Sequence, residues 1–270
     1  MTIDFYTLPH NYAYMGNEIY NQEYYSINKG TEVTLKSARE IIPIVLDLIT
    51  IKSVLDVGCG IGAWLKVFKE KGVNKIMGID GNYVNKNMLL ISKDNFKSVD
   101  LEKEEFKTNT KYDLTICLET AEHISKERED HLLNILTNSA DIVLFSASVP
   151  YQGGTGQGHI NEQWQSYWID KFIKRKYIAI DCIRRKIWSN KELFYFYRQN
   201  IFLFIKKDKL NKFPKLKKEF ERGIDFIDIV APDRYIEMGE DRKAIGYIFP
   251  IGIRKYFSFI VRKIAKIIKK

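Results

Sequence analysis

The stretch Ser53-Val54-Leu55-Asp56-Val57-Gly58-Cys59-Gly60-Ile61-Gly62-Ala63-Trp64 decides the fold. Val54, Leu55 and Val57 form a short apolar run, which reads as a buried strand. It ends in a turn carrying Gly58, Gly60 and Gly62, where the backbone can bend sharply and a ligand can approach closely. The turn feeds a helical stretch, Trp64 to Lys71, whose first N–H groups have no intrahelical partner. Strand, glycine turn and helix start together make a cradle for a nucleotide-like cofactor. Read as Gly58-x-Gly60-x-x-Ala63, the turn fits a dinucleotide fingerprint with alanine as its last member. The choice of cofactor falls to residues further along.

Outward from this unit, strands and helices alternate. Thr31 to Ile49 has apolar residues at helical spacing, and Pro43 marks a bend or a restart. Strands are expected at Ser53–Gly58, Lys75–Asp80, Phe96–Asp100, Asp113–Glu119, Asp141–Ser148, Tyr177–Trp188 and Asn200–Lys207. Helices are expected at Glu127–Ser139 and, capped by Asn161, at Asn161–Lys176. Near-continuous apolar strands between helices indicate an α/β protein with a mostly parallel seven-stranded sheet covered on both faces. Ligands of such sheets sit at the carboxyl ends of the strands.

Three acids fall on that edge. Asp56 lies within the first strand, Asp80 ends the second, where a carboxylate can accept both ribose hydroxyls, and Asp100 ends the third, where it can accept an exocyclic adenine amine. A nicotinamide enzyme has use for the first two and no evident need for the third. With VLDVGCGIGAWL, GIDGNYV and YDLTICLETAEHI, residues 30–206 resemble a class I S-adenosylmethionine (SAM) methyltransferase. The resemblance implies a Rossmann-like fold whose last strand is antiparallel. It also implies SAM contacts at Asp56, Gly58, Gly60, Asp80 and Asp100, with backbone near Leu101 and Leu118.

The fourth strand runs straight into Glu119-Thr120-Ala121-Glu122-His123. If a helix starts there, Glu119, Glu122 and His123 share one face. His159 lies in a glycine-rich loop, Gly153 to Glu162, that leaves the fifth strand at the same edge. Two carboxylates and two imidazoles meeting beside the cofactor suit a divalent ion such as Mg²⁺ or Mn²⁺. The set resembles the ExxEH…H ligands of metal-dependent small-RNA 2′-O-methyltransferases, and its ExxEH part resembles the ubiquinone-pathway O-methyltransferases. Here the loop is short and glycine-rich, and the other domains of the RNA enzymes are absent.

A metal has a chemical use. A sugar hydroxyl is a very weak acid, close to water, and a histidine has a pKa of about 6.5, so full deprotonation by a lone imidazole costs on the order of 12 kcal/mol. Proton loss concerted with methyl transfer lowers that cost, and a nearby divalent ion lowers it further. Two other readings stay open: a metal-free site in which His159 or His123 is the general base, with Glu122 beside it, and a structural role for the cluster in capping and pocket walls. His10 and His131 read as surface or packing residues.

Trp164, Tyr167 and Trp168 are read chiefly as core and secondarily as a sugar platform. The string GGTG…H.NEQW..YW resembles bacterial methyltransferase-like proteins encoded with surface-polysaccharide genes. That resemblance implies a glycan, nucleotide sugar or polyol acceptor. An RNA ribose methyltransferase and a non-catalytic SAM-binding, membrane-associated protein are the competing readings.

The 270 residues, 45% hydrophobic and 13% aromatic, can bury a proper core and exclude a disordered protein. The three cysteines, without a CxxC, suit a reducing, cytoplasmic setting. No secretory signal opens the chain, and no apolar run is long enough to span a membrane. The net charge is +9, and the segment from Arg242 to Lys270 holds nine basic residues and no acid. An RNA enzyme should carry its basic charge around the pocket, so nucleic acid is not the expected partner. Within the tail, apolar residues from Ile253 to Ile268 recur in steps of three and four with Lys and Arg opposite. This is a basic amphipathic helix suited to peripheral contact with the inner face of a membrane, or to packing on the domain or a second subunit. The expected layout is an arm or lid at 1–30, the methyltransferase domain at 31–207 and an extension at 208–270. Nothing in the sequence fixes the oligomeric state.

Overall fold

The structure is a computed structural model that describes residues 28–152 and 158–236. The arm before residue 28, residues 153–157 of the His159 loop and the basic tail lie outside the described residues. The described residues up to Ile229 form one compact unit, and those from Val230 belong to a second.

Seven strands make one sheet: β1 (Ser53–Val57), β2 (Lys75–Asp80), β3 (Phe96–Ser98), β4 (Leu114–Leu118), β5 (Ile142–Ser146), β6 (Tyr177–Ile180) and β7 (Phe202–Lys206). Their order is β3-β2-β1-β4-β5-β7-β6. Pairings among β1 to β5 are parallel, and β7 runs antiparallel to both β5 and β6. This is the Rossmann-like architecture expected from the sequence, with its last strand reversed. The helices are α1 (Asn28–Leu48), α2 (Ala63–Glu70), α3 (Glu129–Ser139), α4 (Gln165–Lys174), α5 (Arg184–Ile187), α6 (Tyr195–Asn200) and α7 (Pro214–Glu221).

The central strands are apolar without alternation because both faces are covered. Val54, Ile116, Leu144 and Leu203 point into a core shared with α1, α2 and α6, through Ile41, Trp64, Phe68 and Tyr197. Their neighbours Leu55, Cys117, Phe145 and Phe204 point into a second core with α3 and α4, through Leu132, Leu136, Trp168 and Phe172. Phe172 is fully buried and stacks on Phe204 at 3.9 Å between ring centroids, a burial that stabilises by about 2–3 kcal/mol. Trp168 is therefore core, as its spacing suggested, whereas Trp164 is 42% exposed.

Three local expectations need correction. The strand expected over Tyr177–Trp188 stops at Ile180. Asp181 and Arg184 form a buried pair at 2.7 Å, and Arg184 also donates to the carbonyls of Gln199, Phe226 and Ile227, which turns the chain into α5. Helix α4 begins at Gln165 rather than Asn161, whose side chain donates instead to Glu129 at 3.3 Å. Finally, the chain after β4 forms only the single 3-10 turn Ala121–His123 rather than an α-helix.

Candidate functional site

The turn after β1 holds Gly58, Gly60 and Gly62 at φ of 81°, 53° and 84°. A Cβ on Gly58 would also lie 2.3 Å from Cγ2 of Thr120, so both conformation and space demand glycine there. The turn is pinned to the neighbouring strand, since the N–H groups of Gly58 and Cys59 donate to the Ile79 carbonyl at 2.9 and 3.2 Å. Asp80, at the end of β2, closes the cradle. Its Oδ2 accepts from Gly60 N–H at 2.6 Å, and its Oδ1 accepts from Gly81 N–H at 2.7 Å and from the Tyr83 hydroxyl.

Asp56 and Asp80 are both buried, and burial raises both carboxyl pKa values; the neighbouring Asp80 pushes Asp56 further up. Oδ2 of Asp56 is buried with no hydrogen-bond partner. Two close, desolvated carboxylates call for donors and positive charge. SAM brings both, in its ribose hydroxyls, ammonium and sulfonium, so these residues fit the cofactor. Asp100 is partly exposed, with Oδ1 accepting from Glu102 N–H at 3.0 Å and Lys103 3.3 Å from Oδ2. Leu101 and Leu118 are buried at 7% and 8% exposure, in the second and the first core respectively.

Across the cleft the structure brings Glu122, His123 and His159 together, with one potential ligand atom from each within 4.8 Å of the others. Glu122 is 1% exposed, and its Oε2 has no hydrogen-bond partner. Burial and then the charge of Glu119 push its carboxyl well above the usual range. Burial, with His159 nearby, lowers the His123 imidazole to about 4, so the ring is neutral at neutral pH.

Both rings are oriented by acceptors. Nδ1 of His123 lies 3.2 Å from the Gly158 carbonyl, which can only accept, so Nδ1 carries the proton. Nδ1 of His159 lies 2.8 Å from a carboxylate oxygen of Glu162. In the neutral His123 ring Nε2 then bears the lone pair. The loop is fixed by main chain as well: Ile160 and Asn161 N–H both donate to the Glu122 carbonyl, at 2.9 and 3.0 Å.

Glu119 departs from the expected set. It follows β4 at φ 51°, and its carboxylate is wrapped by neutral donors. Oε2 accepts from Gln152 at 2.8 Å and Ser148 at 3.4 Å, and Oε1 accepts from Asn200 at 3.2 Å. Gln152 is itself held by Gln199 at 2.7 Å and Asn200 at 2.8 Å on its Oε1. Burial raises the Glu119 pKa while these donors oppose the rise.

The sequence reading missed Glu162, Gln152, Asn200 and Tyr83. Glu162 follows His159 by three positions and carried a detectable signal, the usual carboxylate partner of a ligating histidine. Tyr83 sat inside the quoted GIDGNYV. Gln152 and Asn200 carried none, because ordinary amides gain a role only when the fold brings them to Glu119. His131 is a packing residue, with Nδ1 3.1 Å from Glu105.

The family described as a methyltransferase domain matches residues 35–168. With that match on this fold, the protein is a SAM-dependent methyltransferase. No curated protein matches the sequence. Among solved structures, a chain from the complex of the Haloferax volcanii Trm112 methyltransferase activator with a methyltransferase has the same fold. The TM-score is 0.52 at 11% identity, covering 72% of this chain and 99% of that one. Magnesium protoporphyrin IX methyltransferase from Synechocystis PCC 6803 with bound SAM is similar at a TM-score of 0.47 and 17% identity, over 70% and 88% of the two chains. The methyltransferase domain of bacterial CtHen1-CN is similar at 0.45 and 20% identity, over 63% and 99%.

Proposed function

We propose that this SAM-dependent methyltransferase transfers its methyl group to a hydroxyl of a carbohydrate-type acceptor in surface-glycan assembly, assisted by a divalent ion. The observation that carries the metal is the Glu122–His123–His159 cluster, with its unpartnered carboxylate oxygen and two oriented imidazoles. One carboxylate and two nitrogens suit Mn²⁺ or a similar ion, and Mg²⁺ with added waters. Glu119 enters the set as a fourth ligand only by exchanging one of its amide bonds for the ion.

A divalent ion there supplies positive charge that makes a neighbouring hydroxyl more acidic. The chain supplies the remainder. Asp56, Gly58, Gly60 and Asp80 hold the donor, with Asp100 and the backbone at Leu101 and Leu118 beside it. His159, tied to Glu162, can take a proton at Nε2, and the Glu119 network keeps Glu122 and the turn in place. Support for the carbohydrate acceptor comes from the HINEQWQSYW resemblance and from Tyr151 and Trp164, which are 75% and 42% exposed beside the His159 segment and can offer flat faces to a sugar. The arm at 1–30 is proposed as a lid, and residues 250–270 as a peripheral membrane contact at a cytoplasmic face.

The test is methyl transfer to nucleotide-sugar, polyol and short RNA acceptors after chelation, with Mg²⁺ and Mn²⁺ titrated back. Glu122→Ala and His159→Ala should each cost at least about 100-fold in turnover while SAM binding persists. Unchanged turnover after chelation removes the metal, and transfer to RNA alone removes the glycan.

A further inference from the structure

We propose that the amino edge of the sheet, opposite the cleft, is a docking surface for an anionic phospholipid bilayer. The strands are charged unequally at their two ends. Lys52 precedes β1, Lys75 opens β2, Lys111 precedes β4 and Lys176 precedes β6, and all four are exposed. Because β7 runs backwards, its last residue, Lys206, arrives at the same edge, paired with Tyr177. Lys207 N–H then donates to the Lys176 carbonyl at 2.8 Å, just as Lys75 N–H donates to the Lys52 carbonyl at 3.3 Å. At the carboxyl ends the same strands lead instead into Asp80, Glu119 and Asp181.

The basic edge continues along the chain. Residues 207–221 carry six lysines against three acids, and Lys215 pairs at 2.7 Å with Asp47, near the end of α1. Two acids also stand at this edge: Asp113, engaged by the N–H groups of Lys52 and Ser53 at 2.8 and 3.0 Å, and the half-buried Asp141 before β5, so the lysines outnumber them.

The site chemistry favours a bilayer over a nucleic acid. The edge is built of lysines, point charges on flexible stems that follow a fluid array of headgroups, rather than arginines in fixed forks. A strand of five residues separates it from the cleft by about 17 Å, so a polyanion bound here does not present its hydroxyls to the methyl donor. The acidic opposite edge is repelled by the same surface, which turns the cleft away from the lipid. Nine further basic residues between Arg242 and Lys270 add charge of the same sign. The inference is independent of the acceptor and of the metal.

Flotation of the full chain with vesicles of phosphatidylcholine alone, or mixed with phosphatidylglycerol, tests it. Wild type should float with the mixed vesicles only. The triple variant Lys52→Glu/Lys75→Glu/Lys176→Glu should partition at least about tenfold more weakly, since each lysine near an anionic surface adds attraction that glutamate turns to repulsion. Unchanged SAM affinity and melting temperature show that this variant is folded. A second variant with Arg262, Lys263, Lys266, Lys269 and Lys270 changed to Gln should retain flotation that the edge substitutions then abolish. Equal flotation of wild type and triple variant, or loss of all flotation in the tail variant alone, overturns the proposal. So does retention of single-stranded RNA, without vesicle binding, that the triple variant loses.

Discussion

The proposed cofactor side is made by one βαβ unit, from Asp56 through the glycine turn to Asp80, and most of its contacts involve backbone N–H groups. The proposed acceptor side draws side chains from the segments after β4 and β5, from the His159 segment and from α6, and the contacts of Glu119 join residues far apart in sequence. A local pattern of glycines and one acid defines the first. The second exists only after the sheet has assembled. Loss of one residue of the first should therefore disable SAM binding outright, whereas the supporting network around Glu119 and His159 in the second should weaken by degrees.

The largest expected effect tests the first half. Asp80→Ala removes the acceptor proposed for two ribose hydroxyls, each bond to a charged group being worth about 1.5–3 kcal/mol. SAM affinity by calorimetry should fall by at least about 100-fold, with the fold checked by circular dichroism; unchanged affinity would place the ribose elsewhere. Next comes Gly58→Ala, which combines a φ of 81° with a Cβ 2.3 Å from Thr120. It should cost about 3 kcal/mol in denaturant unfolding, and adding Thr120→Gly should restore part of it by removing the contact but not the backbone strain.

Two smaller effects probe the second half. Gln152→Ala strips a donor from Glu119 and a partner from Gln199 and Asn200, and should lower stability by about 2 kcal/mol. SAM affinity should stay the same, and a matching loss of SAM binding would show that the halves are not independent. Glu162→Gln leaves His159 with a weaker acceptor. It should weaken Mn²⁺ binding by about tenfold, read by isothermal titration without SAM, and Glu162→Asp should recover part of it. Equal Mn²⁺ affinity in wild type and variant would make Glu162 a fold residue only.

The same contrast explains what the sequence made legible. The mostly parallel, doubly covered sheet followed from apolar runs between helices, and the antiparallel last strand followed from the resemblance to class I SAM methyltransferases. Glu122, His123 and His159 were named because titratable residues at the carboxyl edge are few. Glu119 was grouped with them on the assumption of a helix after β4. The left-handed backbone at Glu119 and the short 3-10 turn instead leave it among Gln152, Ser148 and Asn200. The end of β6 was misread because a run of Ile, Cys and Ile looks like strand, while the buried Asp181–Arg184 pair that turns it depends on the carbonyls of residues 199, 226 and 227.

The two amides of Ile160 and Asn161 on one carbonyl of Glu122 carry a lesson for changing this enzyme. A main-chain clasp is indifferent to the side chains that ride on it. Ile160 is 64% exposed while its N–H is committed, so its side chain can be exchanged without shifting the neighbouring imidazole. Selection, natural or in a library, can thus alter the exposed surface at Ile160 while Glu122 and His159 stay where they are.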